Sequence, residues 1–237
     1  MDLRPAPIIR LTDAWRLFGP QQQERALAGV SLTVAPGEFL CLAGPSGSGK
    51  TTLLNLMGLL DLPSSGSMEF LGQETSTLSR TERAILRRHQ LGFIFQGFNL
   101  IPVLSVAENV EYPLILAGMA GEERRRRVEH ALGLVGISDH GRKRPGELSG
   151  GQQQRVAVAR AIAPAPPLIL ADEPTGSLDS RTGAELLALL RRLNQELGTT
   201  FVFSSHDHNV INQAQRVVLL QDGQVKSDLV REERACP

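Results

Sequence analysis

The chain has 237 residues, 41% of them hydrophobic, which is enough to bury one large core or two small ones. Lysine plus arginine number 25 and aspartate plus glutamate 25, so no overall field draws in nucleic acid or an acidic membrane surface. No apolar run reaches the ~18 residues of a membrane span, the amino end lacks a signal-peptide core, and Cys41 and Cys236 make no disulfide framework; the expectation is a cytosolic globular chain that reaches a membrane only through a partner.

Residues 8–15 and 30–34 alternate apolar and polar side chains, predicting half-buried strands, with residues 19–29 as a polar loop between them. Residues 39–60 read as a buried strand containing Cys41, a glycine-rich turn and a leucine-rich helix. The turn is Gly44, Pro45, Ser46, Gly47, Ser48, Gly49, Lys50, Thr51, followed by Thr52. Glycines at this spacing let backbone N–H groups face phosphate oxygens, and the helix start adds uncapped amides and the positive end of its dipole. This is a P-loop arrangement, in which Lys50 reaches the β- and γ-phosphates and the Thr51 hydroxyl holds magnesium. The competing reading is a merely flexible glycine loop, which the flanking strand and helix disfavour.

Residues 67–71 predict a further strand, and the early strands together a small antiparallel sheet. Ser79 with Glu82 forms a capping box for a helix to about His89, and residues 91–95 a buried strand ending at Gln96. From 97 to 163 helix signals dominate: Ser105 with Glu108 is a second capping box, and Val128, Ala131, Leu132 and Val135 share one face. The run Arg124 to Arg127 is either a nucleic-acid patch or a solvated face, and Glu122 and Glu123 four residues before Arg126 and Arg127 favour the latter. Residues 168–171 form a continuous apolar strand ending in Asp172 and Glu173. A helix over 181–197 carries Leu186, Leu187, Leu190, Leu193 and Leu197 in one stripe and stops at Gly198. A strand over 199–204 leads to His206; 216–220, Asp222-Gly223 and 224 onward read as a hairpin, and the tail from Val230 as frayed.

Four strands therefore end in polar residues suited to a nucleotide: the glycine-rich turn, Gln96, Asp172 with Glu173, and His206. In a parallel α/β sheet, ligands bind at such carboxyl ends. A lone Gln or His there is ordinarily a loop or surface residue. Two adjacent acids after a buried strand are costly unless something positive binds, so Asp172 is expected to hold magnesium and Glu173 to polarise the attacking water. Leu148, Ser149, Gly150, Gly151 and Gln152 open another helix whose free amides suit an anion.

These motifs together, GPSGSGKTT, LSGGQ, LILADEP and Ser177-Leu178-Asp179, resemble the ATP-binding-cassette (ABC) ATPases over essentially the whole chain. The resemblance implies an α/β fold: a P-loop NTPase core with a mainly parallel sheet, an N-terminal antiparallel β subdomain and an inserted helical subdomain over 97–163, all in one domain over 1–237. It implies ATP and Mg2+ as cofactors, with Lys50, Gln96, Glu173 and His206 catalytic. Thr51, Gln96 and Asp172 fall on the metal, Ser177, Leu178 and Asp179 form the D-loop, and Leu148 to Gln152 serve the nucleotide of a second, head-to-tail copy. Phe18 fits the spacing of the family's adenine-stacking aromatic and Trp15 is its rival. The stretches GLLDLPSSG and LGFIFQGFNLIPVLSVAENVEYPLILAG are similar to the branch of lipoprotein-releasing, macrolide-exporting and cell-division ATPases. That implies a membrane permease partner and a place on the cytoplasmic face, with no nucleic acid. The alternatives are a soluble ABC protein working on DNA or ribosomes, and a small-molecule P-loop kinase.

Overall fold

The computed structural model describes residues 5–20 and 23–231. The chain forms two compact units, one from the chain up to Ala84 with the chain from Thr200, the other from Ile85–Thr199.

In the first unit, β1 (Ile9–Phe18), β2 (Glu24–Val34), β4 (Ser65–Phe70) and β5 (Gln73–Glu74) make an antiparallel sheet in the order β2-β1-β4-β5. The expected loop over 19–29 is corrected: β2 already pairs at Glu24 with Phe18 and at Arg25 with Leu17. Its polar start hid this, but Leu27 is fully buried and the ladder carries it. The first strand likewise runs three residues past 15, through register shifts near Ala14 and Arg16; Asp13, at φ 45°, supplies the local distortion a bulge requires.

Strand β3 (Phe39–Ala43) is buried at every position and runs parallel to both β8 (Thr200–Ser205) and β9 (Arg216–Gln221). A strand covered on both faces should be continuously apolar, and FLCLA is. Phe39 packs on Phe201 and Phe203 with ring centroids 5.9 and 4.9 Å apart, within the range of favourable tilted aromatic pairs. Helix α1 (Lys50–Met57) buries Leu53, Leu54, Leu56 and Met57. The expected hairpin forms as β9 and β10 (Gln224–Val230), turning at Asp222 (φ 51°) and Gly223 (φ 74°). Val230 belongs to β10; the rest of the predicted tail from 232, including Cys236, lies outside the described residues.

The division between the units falls within α2 (Arg80–Gln90), whose Ser79–Glu82 box closes as predicted, Ser79 N–H donating to the Glu82 carboxylate at 2.7 Å. In the second unit β6 (Leu91–Phe95) and β7 (Leu168–Asp172) pair in parallel. Helices α3 (Val106–Leu116), α4 (Gly121–Val135) and α5 (Gly150–Ile162) pack on one another, and α5 also against β6. The α4 residues that are buried are the predicted Val128, Ala131, Leu132 and Val135. Three arginines of the run are paired: Arg124 with Glu111 at 2.8 Å, Arg126 with Glu122 at 3.7 Å and Arg127 with Glu123 at 3.2 Å. Helix α6 (Ser180–Leu197) buries Leu186, Leu187, Leu190 and Leu193 but leaves Leu197 40% exposed. The predicted stripe ends one turn early, because Leu197, the last residue before Gly198 (φ 65°), lines an open groove and not the core.

Candidate functional site

The first unit carries the glycine-rich turn. Gly44 sits at φ 147°, and a β-carbon there would lie 2.2 Å from the Leu220 carbonyl oxygen and 2.8 Å from Ser48 Oγ; no side chain fits. The buried Lys50 donates from Nζ to the carbonyls of Gly44 at 2.7 Å and Pro45 at 2.8 Å. Its ammonium is thereby folded back over the turn, where a phosphate group would meet it. Ser48 is buried and its Oγ has no hydrogen-bond partner, a costly arrangement that a ligand oxygen would relieve. Gly49 precedes α1 at φ 103° without a side-chain cap, so the first-turn amides of α1 are not met by a capping side chain. Pro45, Ser46 and Gly47 are exposed, as is Thr51, while Thr52 is half-buried. An ammonium, an unpartnered buried hydroxyl and helix-start amides without a side-chain cap make a donor set that fits a polyphosphate.

His206 follows β8 and is exposed; beside it the Asp207 N–H donates to Ser205 Oγ at 3.1 Å, which fixes the turn. Phe18, at the end of β1, is 38% exposed, with the Arg16 guanidinium 4.6 Å from its ring centroid. Trp15 is committed elsewhere: its indole N–H donates to Asp13 at 3.1 Å, and the ring lies against Gly29.

The second unit carries the other predicted residues. Gln96 leaves β6 and packs on Gly176, where a β-carbon would be 2.8 Å from the Gln96 side-chain nitrogen. It is thus brought beside the turn that begins at Asp172 and Glu173. Glu173 is half-buried at φ 44°, a strained conformation for a residue other than glycine, of the kind that clusters at reactive sites. Asp179 caps α6, accepting from the N–H groups of Arg181 and Thr182 and from the Thr182 hydroxyl at 2.7 Å. The Thr182 amide, first among these donors, holds its carboxyl below the usual range. Ser177 is exposed and Leu178 lies near Gly150.

Leu148 is buried ahead of α5. Ser149 and Gln152 form a reciprocal capping box, Ser149 Oγ accepting from the Gln152 N–H at 3.3 Å and Gln152 Oε1 from the Ser149 N–H at 3.0 Å. A β-carbon on Gly151 would stand 2.5 Å from Thr182 Cγ2, so this glycine is what lets α5 approach α6.

Sequence reasoning passed over three residues. Gln154, fully buried, donates to the Pro174 carbonyl at 2.7 Å and the Phe95 carbonyl at 3.3 Å, joining α5 to the strand end at Gln96 and to the turn after Glu173. Arg160 donates to the carbonyls of Phe98 and Asn99, two consecutive residues with φ 61° and 50°; its burial lowers its pKa. A Gln on the face shared with Val158 and Ala161, and an Arg within VAVARAIA, were signals of buried polar work. His140, 3.2 Å from the Gln152 side-chain nitrogen, had none.

A groove of about 500 Å³ lies elsewhere in this unit, lined by Arg126, Arg127, His130, Leu134, Ile162 and Leu197 among others; none of the predicted site residues lines it. No group of three or more His, Cys, Asp or Glu residues that could hold a metal occurs among the described residues. Magnesium ordinarily needs only one or two carboxylates together with water and phosphate oxygens, chemistry that Asp172 and the Gln96 amide of the second unit suit.

Residues 27–176 match the family described as ABC transporter. A macrolide export ATP-binding/permease protein of Nitrosomonas europaea is 48% identical over 94% of this chain and 34% of its own length. An ABC transporter ATP-binding protein of Thermotoga maritima is 44% identical over 92% of this chain and 94% of its own. The dimeric post-hydrolysis structure of the ATP-binding cassette MJ0796 bound to ADP and Pi superposes with a TM-score of 0.85 at 43% identity, covering 94% of this chain and 99% of that one. The chain spans about a third of the length of the macrolide export relatives it matches.

Proposed function

Since this chain belongs to the ABC transporter family, we propose that it is an ATP-hydrolysing cassette that pairs with a second copy on binding ATP and drives a separate or fused membrane permease. The observation that carries the reading is the turn around Gly44, where a buried ammonium and an unpartnered buried hydroxyl meet in a glycine cradle. Permease coupling draws support from the export relatives, whose names join an ATP-binding part to a permease; a macrolide-export or lipoprotein-release type of task follows from the same likeness. Action from the cytoplasmic face of the membrane is part of the proposal.

In this reading the turn's amides and Lys50 bind the β- and γ-phosphates, and Phe18 stacks on the adenine. Thr51, Gln96 and Asp172 would hold Mg2+, which when bound neutralises charge on the phosphate oxygens. Glu173 accepts a proton from the attacking water as its oxygen bonds to the γ-phosphorus and the bond to the β,γ-bridging oxygen breaks, ADP leaving with that oxygen. His206 orients the γ-phosphate. Ser149, Gly150, Gly151 and Gln152 reach the nucleotide of the other copy, with Leu148 seated beneath them and Ser177, Leu178 and Asp179 at the same contact.

Removing a general base typically costs ~10²–10⁴-fold in rate. Glu173→Gln is therefore expected to stop turnover and to accumulate an ATP-bound dimer in sedimentation velocity. A protein that stays monomeric at saturating MgATP would falsify the pairing. Lys50→Ala loses ATP binding in the same samples; retained affinity refutes the role of the turn.

A further inference from the structure

The capping box at the start of α5 fixes which way the Gln152 amide points. Its oxygen accepts from the Ser149 N–H at 3.0 Å, so its nitrogen is the atom turned to His140, 3.2 Å from the ring's Nε2. An amide NH2 can only donate. His140 Nε2 must therefore accept, which requires the neutral ring with its proton on Nδ1. Nδ1 is buried and has no hydrogen-bond partner, so the ring is not placed there to serve another group. Among the described residues, the polar contact the ring makes is with the Gln152 side chain.

The ring is itself held from a distance. It ends the short turn Ser138–His140, which follows α4 through buried Ile137, whose N–H donates to the Leu132 carbonyl. The His140 carbonyl accepts from Lys143, and the next residues run onto the start of α3, Ala107 N–H donating to Gly141 and Val106 N–H to Lys143. His140 thus transmits the placement of α3 and α4 to one side chain at the tip of α5.

We infer that His140 is a positioning residue for the signature motif: as a neutral acceptor it locks the Gln152 amide, and through it the Ser149 rotamer that the second copy's nucleotide meets. With Ser149 Oγ accepting from Gln152 N–H, the hydroxyl proton is left to donate outward along one direction. Without His140 the Gln152 side chain can rotate away, the box opens, and Ser149 samples several rotamers. The inference rests on the proposed pairing of two copies across ATP.

The test uses the Glu173→Gln chain, comparing MgATP affinity of the monomer at low protein concentration with the ATP-driven dimer constant from sedimentation. His140→Ala is expected to leave monomer affinity unchanged. Loss of one such bond weakens each site by about 3- to 10-fold, and two equivalent sites per dimer multiply to about 10- to 100-fold. His140→Gln, which offers an acceptor oxygen at similar reach, restores pairing, whereas His140→Lys, a donor only, does not. Ser149→Arg is the control. If it too leaves pairing intact, the two-copy reading has failed; if it abolishes pairing while His140→Ala pairs like its parent, only the role of His140 has failed. Equal pairing by the Gln and Lys variants also overturns the inference, and that comparison decides the matter even if His140→Ala does not fold.

Discussion

Gly151→Ala probes the contact on which the approach of α5 to α6 depends. The new methyl would stand 2.5 Å from Thr182 Cγ2, against the ~3.5–4.0 Å at which carbon atoms pack best. At least about 1 Å must be found. Thr182 is β-branched and stiff at χ1, and its hydroxyl is tied to Asp179 at 2.7 Å. Rotating it sacrifices that bond; keeping it forces the helices apart. Both escapes are costly, so the upper part of the overpacking range, about 2–3 kcal/mol, applies; subtracting the ~1 kcal/mol gained by replacing glycine in a helix leaves a net loss of about 1–2 kcal/mol. At ~2–4 °C per kcal/mol for a chain of this size, the midpoint should fall by about 2–8 °C in a calorimetric scan, with a matching shift in urea. Thr182→Ser removes the clashing methyl and keeps the hydroxyl, so the double variant should recover most of the loss. A Gly151→Ala protein as stable as the parent, or one that Thr182→Ser fails to rescue, refutes the reasoning.

Burial pushes the Cys41 thiol up to about 12, opposed by the charges of Arg231 and Lys50; in a Cys236→Ser background it should resist alkylation near neutral pH until the chain is unfolded, and prompt labelling of folded protein would contradict this. The caps respond to acid. Glu82 is lowered chiefly by the Ser79 hydroxyl, Glu108 by the Ser105 amide and Asp179 by the Thr182 amide. With folded values below unfolded ones, their stabilisation is complete above the ordinary carboxylate pKa near ~4 and is lost as pH falls through the folded values. Stability of Asp179→Asn should accordingly decline less steeply below about pH 4 than that of the parent, as followed by urea midpoints across pH. Arg160→Met removes the donors to Phe98 and Asn99 and should raise amide exchange across residues 97–100 while leaving α1 protected; unchanged exchange would show that the loop holds itself.

Features that declare themselves within a few residues were legible in the chain. The two boxes at Ser79 and Ser105 need only a residue three positions on, and the Asp222-Gly223 turn needs only its neighbours. The glycine-rich turn stood out because its glycines fall at the fixed spacing that phosphate binding by backbone amides demands, and Gly44 does take a conformation with no room for a side chain. The start of β2 was missed because Glu24 and Arg25 are polar, and their strand character comes from pairing with Leu17 and Phe18. Leu197 was misplaced because periodicity says which side a residue faces, not whether anything covers that side. Gln154 and Arg160 act on carbonyls 59 and 61 residues away, and His140 on a side chain 12 residues on; no local pattern encodes such partners.

Strand β3, which leads into the glycine-rich turn, is flanked by β8 and β9, both made more than 150 residues later in the chain. During synthesis at ~5–20 residues per second, the stretch from Ala43 to Gln221 takes about ten to forty seconds to emerge. Throughout that interval an apolar strand already outside the ribosome has neither lateral neighbour, whereas the unit over Ile85–Thr199 is contiguous and can close first. The glycine-rich turn is thus made well before the strand that carries it is seated. The interval when its strand is bare is when the nascent chain is most exposed to aggregation and most in need of a chaperone.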